Sequence, residues 1–200
     1  DEVKIWYDGA GRITKAWNED ALNELTWNTL SRLERDKSWI MPSSESGSGT
    51  TPRDVDYFYD ASGMATRLEY SDNWTTITRL YDDLNRVTKI KEGTTAHATW
   101  TFGGPSRIVR MDMGNGTFEE LAYDNYGRAT QMDHWRPDGN NAIPMYTFVR
   151  GYDAGSRPTF ERRDYYDNAG DILNGQRDFG DRHYYDAIDR LTKVIRGVGF

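Results

Sequence analysis

Residues 7–14 read Tyr-Asp-Gly-Ala-Gly-Arg-Ile-Thr, and this eight-residue pattern returns along the whole 200-residue chain. Neighbouring copies are typically 20 to 22 residues apart, and this spacing predicts two less obvious copies in the widest gaps. A fixed period of this length is the mark of a repeat architecture, in which each copy forms one structural unit. We therefore interpret residues 1–200 as a single repeat region of nine copies, which begin at Tyr7, Trp27, Tyr59, Tyr81, Phe102, Tyr123, Tyr152, Tyr166 and Tyr185.

The positions of the repeat have distinct preferences. Position 1 is aromatic in all nine copies, position 2 is Asp in seven and position 6 is Arg in seven. Position 5 is always Gly, Ser, Asn or Asp, position 7 is apolar or Pro, and position 8 is Thr in six copies. The residues that carry the pattern most clearly are Tyr7, Asp8, Gly11, Arg12, Tyr59, Asp60, Gly63, Tyr81, Asp82, Arg86, Tyr123, Asp124, Gly127, Arg128, Tyr185, Asp186 and Arg190.

This order of residues predicts a β-hairpin turn in each copy. The Asp at position 2 can accept a hydrogen bond from a backbone N–H two residues on, which begins a turn. Gly or Asn at position 5 tolerates the positive φ at which tight hairpin turns commonly end. If the two residues between them form the loop, the aromatic at position 1 lies directly opposite the Arg of the same copy. The pattern then predicts that this Arg stacks on this ring.

The period leaves room for two strands of about seven to eight residues in each copy, with a turn at each end. We therefore expect an all-β fold of repeated antiparallel hairpins with almost no helix. Two longer intervals predict loop insertions at residues 41–52 and 134–144. The step of 14 residues from Tyr152 to Tyr166 is too short for a full unit, so one of these two copies is expected to be degenerate.

Composition excludes several classes of protein. A net charge of −7, a pI near 5.0 and the lack of a dense Lys/Arg run argue against a nucleic-acid partner. No apolar stretch approaches the ~20 residues of a membrane-spanning helix, so no membrane span is expected. The chain has no Cys, which excludes disulfides and thiolate metal sites. Its 13 Tyr, 7 Trp and 7 Phe indicate a folded chain that buries rings and favours strands.

The pattern resembles the YD repeat of the Rhs family, which includes bacterial polymorphic toxins, shell components of insecticidal toxin complexes, and animal teneurins. The family motif is approximately Tyr-Asp-x-x-Gly-Arg-Leu-Thr; the copies at Tyr7 and Tyr123 match it closely, whereas Met64 and Asp189 depart from it. The resemblance implies a long curved or spiralling sheet of hairpins that forms a segment of a hollow shell. It also implies a secreted or cell-surface protein, whose shell encloses a C-terminal toxin domain outside this chain or, in teneurins, belongs to an adhesion ectodomain.

Two further features bear on the partners of this segment. Many Rhs proteins close their shell with an Asp-Pro-x-Gly stretch, and this stretch is absent from the sequence. We therefore interpret the chain as a segment of the shell wall from a longer parent chain. Strand-like sequence reaches close to both termini, at residues 3–7 and 191–195, without a polar cap. Because stacked repeats need capping, we expect further repeats to pair there, through end-to-end self-association or within the longer parent strip.

Candidate sites for chemistry are sparse. Asp178, Asp181 and His183 could ligate a cation, although Asp is also an ordinary turn residue in this repeat. Trp74, Trp100 and Trp135 lie away from the predicted turns, so they are candidates for contact with glycans, with core packing as the alternative.

The sequence does not place a nucleophile, a base and an orienting group together, and neither catalysis nor a cofactor is expected. The expected function is therefore structural, as a segment of a β-sheet shell or filamentous wall. The alternative is a carbohydrate-binding or adhesion module that uses exposed aromatic residues of the same sheet, and an enzyme ranks third.

Overall fold

The structure is a computed structural model that describes residues 2–40, 45, 51–71, 74–167, 169 and 179–198. Within these ranges the chain forms strands and turns but no helix, and therefore no helix that could cross a membrane. The strands of the described residues are β1 (Lys4–Tyr7), β2 (Ile13–Trp17), β3 (Ala21–Trp27), β4 (Leu33–Ile40), β5 (Arg53–Tyr59), β6 (Ala65–Tyr70), β7 (Thr75–Tyr81), β8 (Val87–Glu92), β9 (Thr95–Gly103), β10 (Arg107–Met113), β11 (Phe118–Tyr123), β12 (Ala129–Asp138), β13 (Asn141–Tyr152), β14 (Pro158–Tyr165), β15 (Phe179–Tyr185) and β16 (Leu191–Val198).

The strands follow one another in a single antiparallel sheet in the order β1 to β16, which is their order in the chain. The expectation of an all-β fold made of consecutive antiparallel hairpins is thus confirmed. The chain divides into two compact units, residues 1–96 and 97–200. The first unit contains β1–β8, and the second contains most of β9 and all of β10–β16.

The register of the hairpins shifts by one residue at position 1 of the repeat. In the first copy Trp6 pairs with Lys15, whereas Tyr7 pairs with Ile13, so Thr14 is passed over in a β-bulge. Position 1 therefore pairs with position 7 of its own copy. The same shift occurs immediately before Trp27, Tyr59, Tyr81, Tyr123, Tyr152 and Tyr185.

This register makes the prediction of a Tyr–Arg stack within one copy wrong. The turn occupies four residues, because the N–H of Gly11 donates to the carbonyl of Asp8 over 3.0 Å. The N–H of Asp8 then donates to the carbonyl of Arg12 over 2.9 Å, so Arg12 lies opposite Asp8 and not opposite Tyr7. The prediction treated the two residues between Asp and Gly as the whole loop and did not include the bulge.

A cation–aromatic pair does exist within hairpins, one residue further from the turn. Lys15 Nζ lies 5.2 Å from the ring centroid of Trp6, directly across the two strands. Arg67 and Phe58 repeat this arrangement in the Tyr59 copy, with 3.8 Å between the guanidinium carbon and the ring centroid. The residue before position 1 and the residue after position 8 thus form the cross-strand pair.

The predicted loop insertion at residues 134–144 is also wrong, because this segment is a long hairpin. The strands β12 and β13 leave only Gly139 and Asn140 for the turn. Pro144 lies opposite Trp135, where the register shifts by one residue. Proline is tolerated at such a bulge because the ladder of hydrogen bonds is interrupted there. The longer interval that predicted a loop is therefore taken up by two long strands.

Two other predictions fall on segments that the structure describes only in part. The loop insertion at residues 41–52 lies outside the described residues except for Glu45, Thr51 and Pro52. Of the two closely spaced copies, the one at Tyr152 forms a complete hairpin between β13 and β14. Most of the Tyr166 copy lies outside the described residues, so the degeneracy of that copy stays a prediction.

Burial within the sheet is concentrated at a few side chains. In the first unit Leu22 is fully buried on β3, where it lies directly opposite Trp17 on β2 and Trp39 on β4. In the second unit the buried residues Thr147 and Asp164 lie opposite each other on β13 and β14. Contacts between neighbouring strands therefore supply the burial, as expected of repeats that stack on their neighbours.

Candidate functional site

A carboxylate holds most of the described turns of the repeat, and the amide oxygen of Asn28 takes its place in the Trp27 copy. In the Tyr123 copy, Asp124 Oδ1 accepts hydrogen bonds from the backbone N–H groups of Tyr126 (2.9 Å) and Arg128 (3.0 Å). Asp124 Oδ2 accepts a further hydrogen bond from Arg128 Nε over 2.6 Å. The same Asp–Arg pair closes the turns at Asp8–Arg12, Asp82–Arg86, Asp153–Arg157 and Asp186–Arg190. The preference for Asp at position 2 and Arg at position 6 thus has a direct structural cause.

Position 5 has the positive φ that the sequence predicts. Gly11, Gly63 and Gly127 have φ angles of 80°, 90° and 79°. In four copies without glycine at this position, φ is between 59° and 66°, at Ser31, Asn85, Ser156 and Asp189. In the Phe102 copy the positive φ occurs at Gly104 instead. Larger values of φ are thus found where glycine removes the steric conflict with Cβ.

Five turns, each with an Asp–Arg pair, lower the pKa of their aspartate. The pKa of Asp8 lies below its ordinary value chiefly because the carboxylate accepts a hydrogen bond from the backbone N–H of Arg12. The pKa of Asp82 is lowered chiefly by the hydrogen bond from the Arg86 side chain. Burial acts to raise the pKa of Asp124, but the hydrogen bonds from the backbone and side chain of Arg128 together outweigh burial, so the pKa is lowered. Hydrogen bonds from the backbone likewise lower the pKa values of Asp153 and Asp186.

The guanidinium at position 6 also reaches the next copy of the repeat. Arg128 Nη1 donates to the carbonyl of Asp153 (2.9 Å) and to Ser156 Oγ (3.1 Å), which are positions 2 and 5 of the following turn. The guanidinium carbon of Arg128 lies 4.6 Å from the ring centroid of Tyr152, at position 1 of that copy. The same stacking on the ring of the next copy occurs at Arg12–Trp27, Arg32–Tyr59 and Arg107–Tyr123. Arg157 stacks in the same way on Tyr185, which is two copies along in the sequence.

The aromatic residue at position 1 in turn contacts the backbone of the preceding copy. Tyr152 Oη donates to the carbonyl of Ala129 over 2.9 Å, and Ala129 is position 7 of the copy before. Trp27 makes the equivalent bond with its indole, because Nε1 donates to the carbonyl of Ile13 over 2.7 Å. The same hydrogen bond to position 7 is formed by Tyr59 to Leu33, Tyr81 to Ala65 and Tyr123 to Ile108. We call the row of positions 1–7 in successive copies of each unit the turn edge.

The structure does not bring the three predicted glycan-contact residues into one site. Trp74 is in the first unit and is 88% exposed. Trp100 is half-buried on β9, opposite Met111. Trp135 is half-buried and stacks on Phe118, with 5.9 Å between ring centroids and an interplanar angle of 13°. Only Trp74 of the three therefore presents an open ring face.

The predicted metal ligands receive no further support from the described residues. Asp178 lies outside them. Asp181 and His183 do share one face of β15, where they lie opposite Arg196 and Val194. Among the residues that the structure describes, no three His, Cys, Asp or Glu side chains are close enough together to hold a metal ion.

A cavity of about 300 Å³ beside Trp74 was missed by the sequence reasoning. Arg35, Asp56 and Glu69, which line it, lie opposite one another on β4, β5 and β6. Arg35 donates from Nε (2.5 Å) and Nη2 (2.9 Å) to the two carboxylate oxygens of Asp56. The alternation of Asp54 and Asp56 along β5 is a signal that could have placed two carboxylates on one face, but their cross-strand partners are far away in the sequence.

Comparison with known proteins shows the fold and leaves the family open. No family model matches the sequence, and no curated protein matches it. A crystal structure of TcdB2-TccC3 has a TM-score of 0.73 at 13% identity, over 96% of this chain and 10% of that chain. A structure of the Tc holotoxin pore of Photorhabdus luminescens has a TM-score of 0.71 at 12% identity, over 94% of this chain and 10% of that chain. The chain thus shares its fold with about one tenth of each of these larger chains.

Proposed function

We propose that this chain is a non-catalytic structural segment of a β-sheet wall in a secreted or cell-surface protein of the Rhs type. The observation that carries the proposal is the link between successive copies at the turn edge. The Arg at position 6 and the aromatic at position 1 each join two hairpins. The side chains that define the repeat are therefore engaged in holding copies together.

The comparisons with known structures support this role. The fold is that of a part of TcdB2-TccC3 and of a Tc holotoxin pore, which are components of toxin assemblies by name. The sequence resembles the YD repeat, whose family builds shells around toxin domains. A contact that recurs from copy to copy can be extended by adding copies, which is the property that a wall requires. An enclosed toxin domain in the parent chain, outside these residues, is part of the proposal.

The first and last described hairpins each expose one half of the contact that links copies. The Arg190 side chain is 74% exposed, whereas those of Arg128 and Arg157 are 20% and 30% exposed. Tyr7, at position 1 of the first copy, is 59% exposed. In the five Arg–ring stacks described above, the guanidinium and the ring cover each other, and Arg190 and Tyr7 present the two complementary halves of this contact.

Sedimentation velocity across a wide range of protein concentration tests the proposal. We expect the chain to associate end to end as its concentration rises, and we expect Arg190→Ala to weaken that association. Arg196→Ala, which removes the same charge from the strand β16 that follows the Arg190 turn, serves as the matched control and should associate like the unaltered chain. A stable monomer at high concentration, with both terminal strands protected from amide exchange, would overturn the wall proposal in favour of a self-contained domain.

A second candidate function, carbohydrate binding or adhesion, is favoured by the exposed ring of Trp74 beside a polar cavity. An array of immobilised glycans tests it, and binding by the unaltered chain is the expected result. Binding that persists in Trp74→Ala would assign the interaction to another surface.

A further inference from the structure

Trp74 occupies a backbone conformation that L-residues with large side chains rarely adopt. Its φ is 55°, in the left-handed region. Three other turns that connect one copy to the next have their positive φ at glycine, namely Gly93, Gly116 and Gly139. A bulky side chain at such a position is a steric disadvantage for the fold. The indole is 88% exposed, so packing of its ring does not offset this disadvantage.

The indole of Trp74 stands at the rim of the cavity on the first unit. It is 88% exposed, so its ring contributes little to packing. The cavity floor is polar, with Arg35 and Asp56 as an ion pair and with Glu69 beside them. An open aromatic face next to several hydrogen-bonding groups is an arrangement that can bind a ring with one apolar face and a hydroxyl-bearing rim.

Asp54 adds a buried acceptor to this cavity. It lines the cavity on β5, two residues before Asp56 and on the same face of the strand. Its Oδ1 is buried and has no hydrogen-bond partner among the described residues. Buried polar atoms are nearly always paired with a protein group or with water, so this oxygen retains an acceptor site for a water molecule or another small donor. A hydroxyl group of a bound molecule is such a donor.

The charge of the cavity restricts the ligand further. Three carboxylates, Asp54, Asp56 and Glu69, line it, against the single guanidinium of Arg35. Arg35 is already engaged by both oxygens of Asp56, so it is a poor site for a second anion. Carboxylates accept hydrogen bonds from hydroxyl groups but repel acids.

We propose that this cavity binds a neutral pyranose, stacked on Trp74 and hydrogen-bonded through its hydroxyl groups to Asp54, Asp56 and Glu69. A volume of about 300 Å³ is at the lower end of ligand sites and suits one or two sugar rings. The site is a local feature of the first unit, so it specifies the ligand of the second candidate function and does not depend on the wall proposal.

Saturation-transfer NMR and calorimetry with defined tetrasaccharides test the site on the full 200-residue chain. The probes are tetramers of glucose and of N-acetylglucosamine, with a sialylated tetrasaccharide as the acidic comparison. We expect a neutral tetramer to bind with a Kd on the order of 1 mM or lower and the acidic one to bind at least about tenfold more weakly.

Three variants separate binding from folding. Trp74→Gly should lower the affinity about tenfold or more while leaving the melting temperature unchanged or raised, because glycine suits the positive φ. Asp54→Asn should also weaken binding. Tyr126→Ala, which removes an aromatic residue that is 85% exposed in the second unit, is the control and should bind normally.

Three results would overturn the site. They are the absence of binding by any neutral tetramer at millimolar concentration, equal binding of the sialylated probe, and unchanged binding in Trp74→Gly. The sedimentation of Trp74→Gly should match that of the unaltered chain, so a failure here is distinguishable from a failure of the wall proposal.

Discussion

Arg128 and Tyr152 belong to different copies of the repeat, yet the guanidinium carbon of Arg128 lies 4.6 Å from the ring centroid of Tyr152. The same guanidinium donates to Asp124 within its own turn. One side chain therefore supports two successive hairpins, and its loss should weaken both.

Replacing Arg128 with Ala should lower the free energy of unfolding by about 1–3 kcal/mol, because the stacking on Tyr152 and the charge-assisted hydrogen bonds are lost together. Urea unfolding measures the change. Arg196→Ala is a suitable control at an exposed Arg and should stay within about 0.5 kcal/mol of the unaltered chain. Equal effects of the two substitutions would contradict the role of Arg128 in linking copies.

The Tyr59 copy carries Met64 where most copies have Arg, so it lacks the guanidinium that stacks on the ring of the next copy. Substitution of Met64 by Arg would supply this guanidinium. Asp60 Oδ1 already accepts the backbone N–H of residue 64, and Tyr81 is the ring that the new guanidinium would cover. Met64→Arg should therefore raise the free energy of unfolding by about 0.5–1 kcal/mol. Met64→Leu, which adds no charge, should not raise it. A destabilised Met64→Arg protein would show that the copies are not interchangeable at this position.

The positive φ of 79° at Gly127 restricts what can replace it. Gly127→Val should cost about 2 kcal/mol, because a β-branched residue tolerates this region poorly. A Cβ there would also lie 3.3 Å from Arg107 Nη1. Gly127→Asn should cost less, since Asn85 occupies the same position at a φ of 59°. Thermal unfolding of the two variants measures the difference, and equal losses would be inconsistent with a conformational cause.

The lowered pKa of the turn aspartates predicts loss of stability in acid. A carboxyl group whose pKa is lower in the folded chain than in the unfolded chain stabilises the fold above the unfolded value, about 3.9 for Asp. That contribution disappears as the pH falls through the folded value. We therefore expect the melting temperature to fall progressively below about pH 4. Asp82→Asn should reduce the slope, because its pKa is among those lowered and Asn retains the amide oxygen as an acceptor. An unchanged acid slope in this variant would exclude Asp82 as a contributor.

The hydroxyl of Tyr152 is expected to stabilise the contact with the preceding copy. Tyr152→Phe removes the donor to the Ala129 carbonyl and keeps the ring, so the free energy of unfolding should fall by about 0.5–1.5 kcal/mol. Tyr126→Phe is the control, since Tyr126 is 85% exposed. An equal loss of stability in the control would show that the hydrogen bond from Tyr152 to the Ala129 carbonyl does not stabilise the contact between the two copies.

The sequence predicts the turns well because their chemistry is local. Asp124 accepts hydrogen bonds from groups within four residues of it, and Gly127 itself adopts the positive φ of the turn. The eight-residue pattern therefore contains the information that determines the turn. The hidden copy at Trp27 follows from the spacing alone, and its turn forms as expected.

The register and the cavity were not predictable in the same way. The bulge beside Tyr7 moves Arg12 out of register with that ring, and nothing in the pattern separates a four-residue turn with a bulge from a shorter loop. The cavity beside Trp74 depends on residues from different strands, such as Arg35 and Asp56, which are 21 positions apart. Cross-strand juxtaposition of this kind depends on register, which a single sequence specifies only weakly.

The hydrogen bond from position 1 ends on a main-chain carbonyl, and this has a consequence for how such a chain can evolve. Position 7 is Ile, Leu or Ala in the copies whose carbonyls accept the bond, as at Ile13, Leu33 and Ala129. The side chain at the acceptor position can drift without loss of the contact, because the carbonyl is common to all residues. Copies of the repeat can therefore differ from one another in the side chain at position 7 and still form this hydrogen bond. The chain shares its fold, at a TM-score of 0.73, with a structure to which it is only 13% identical.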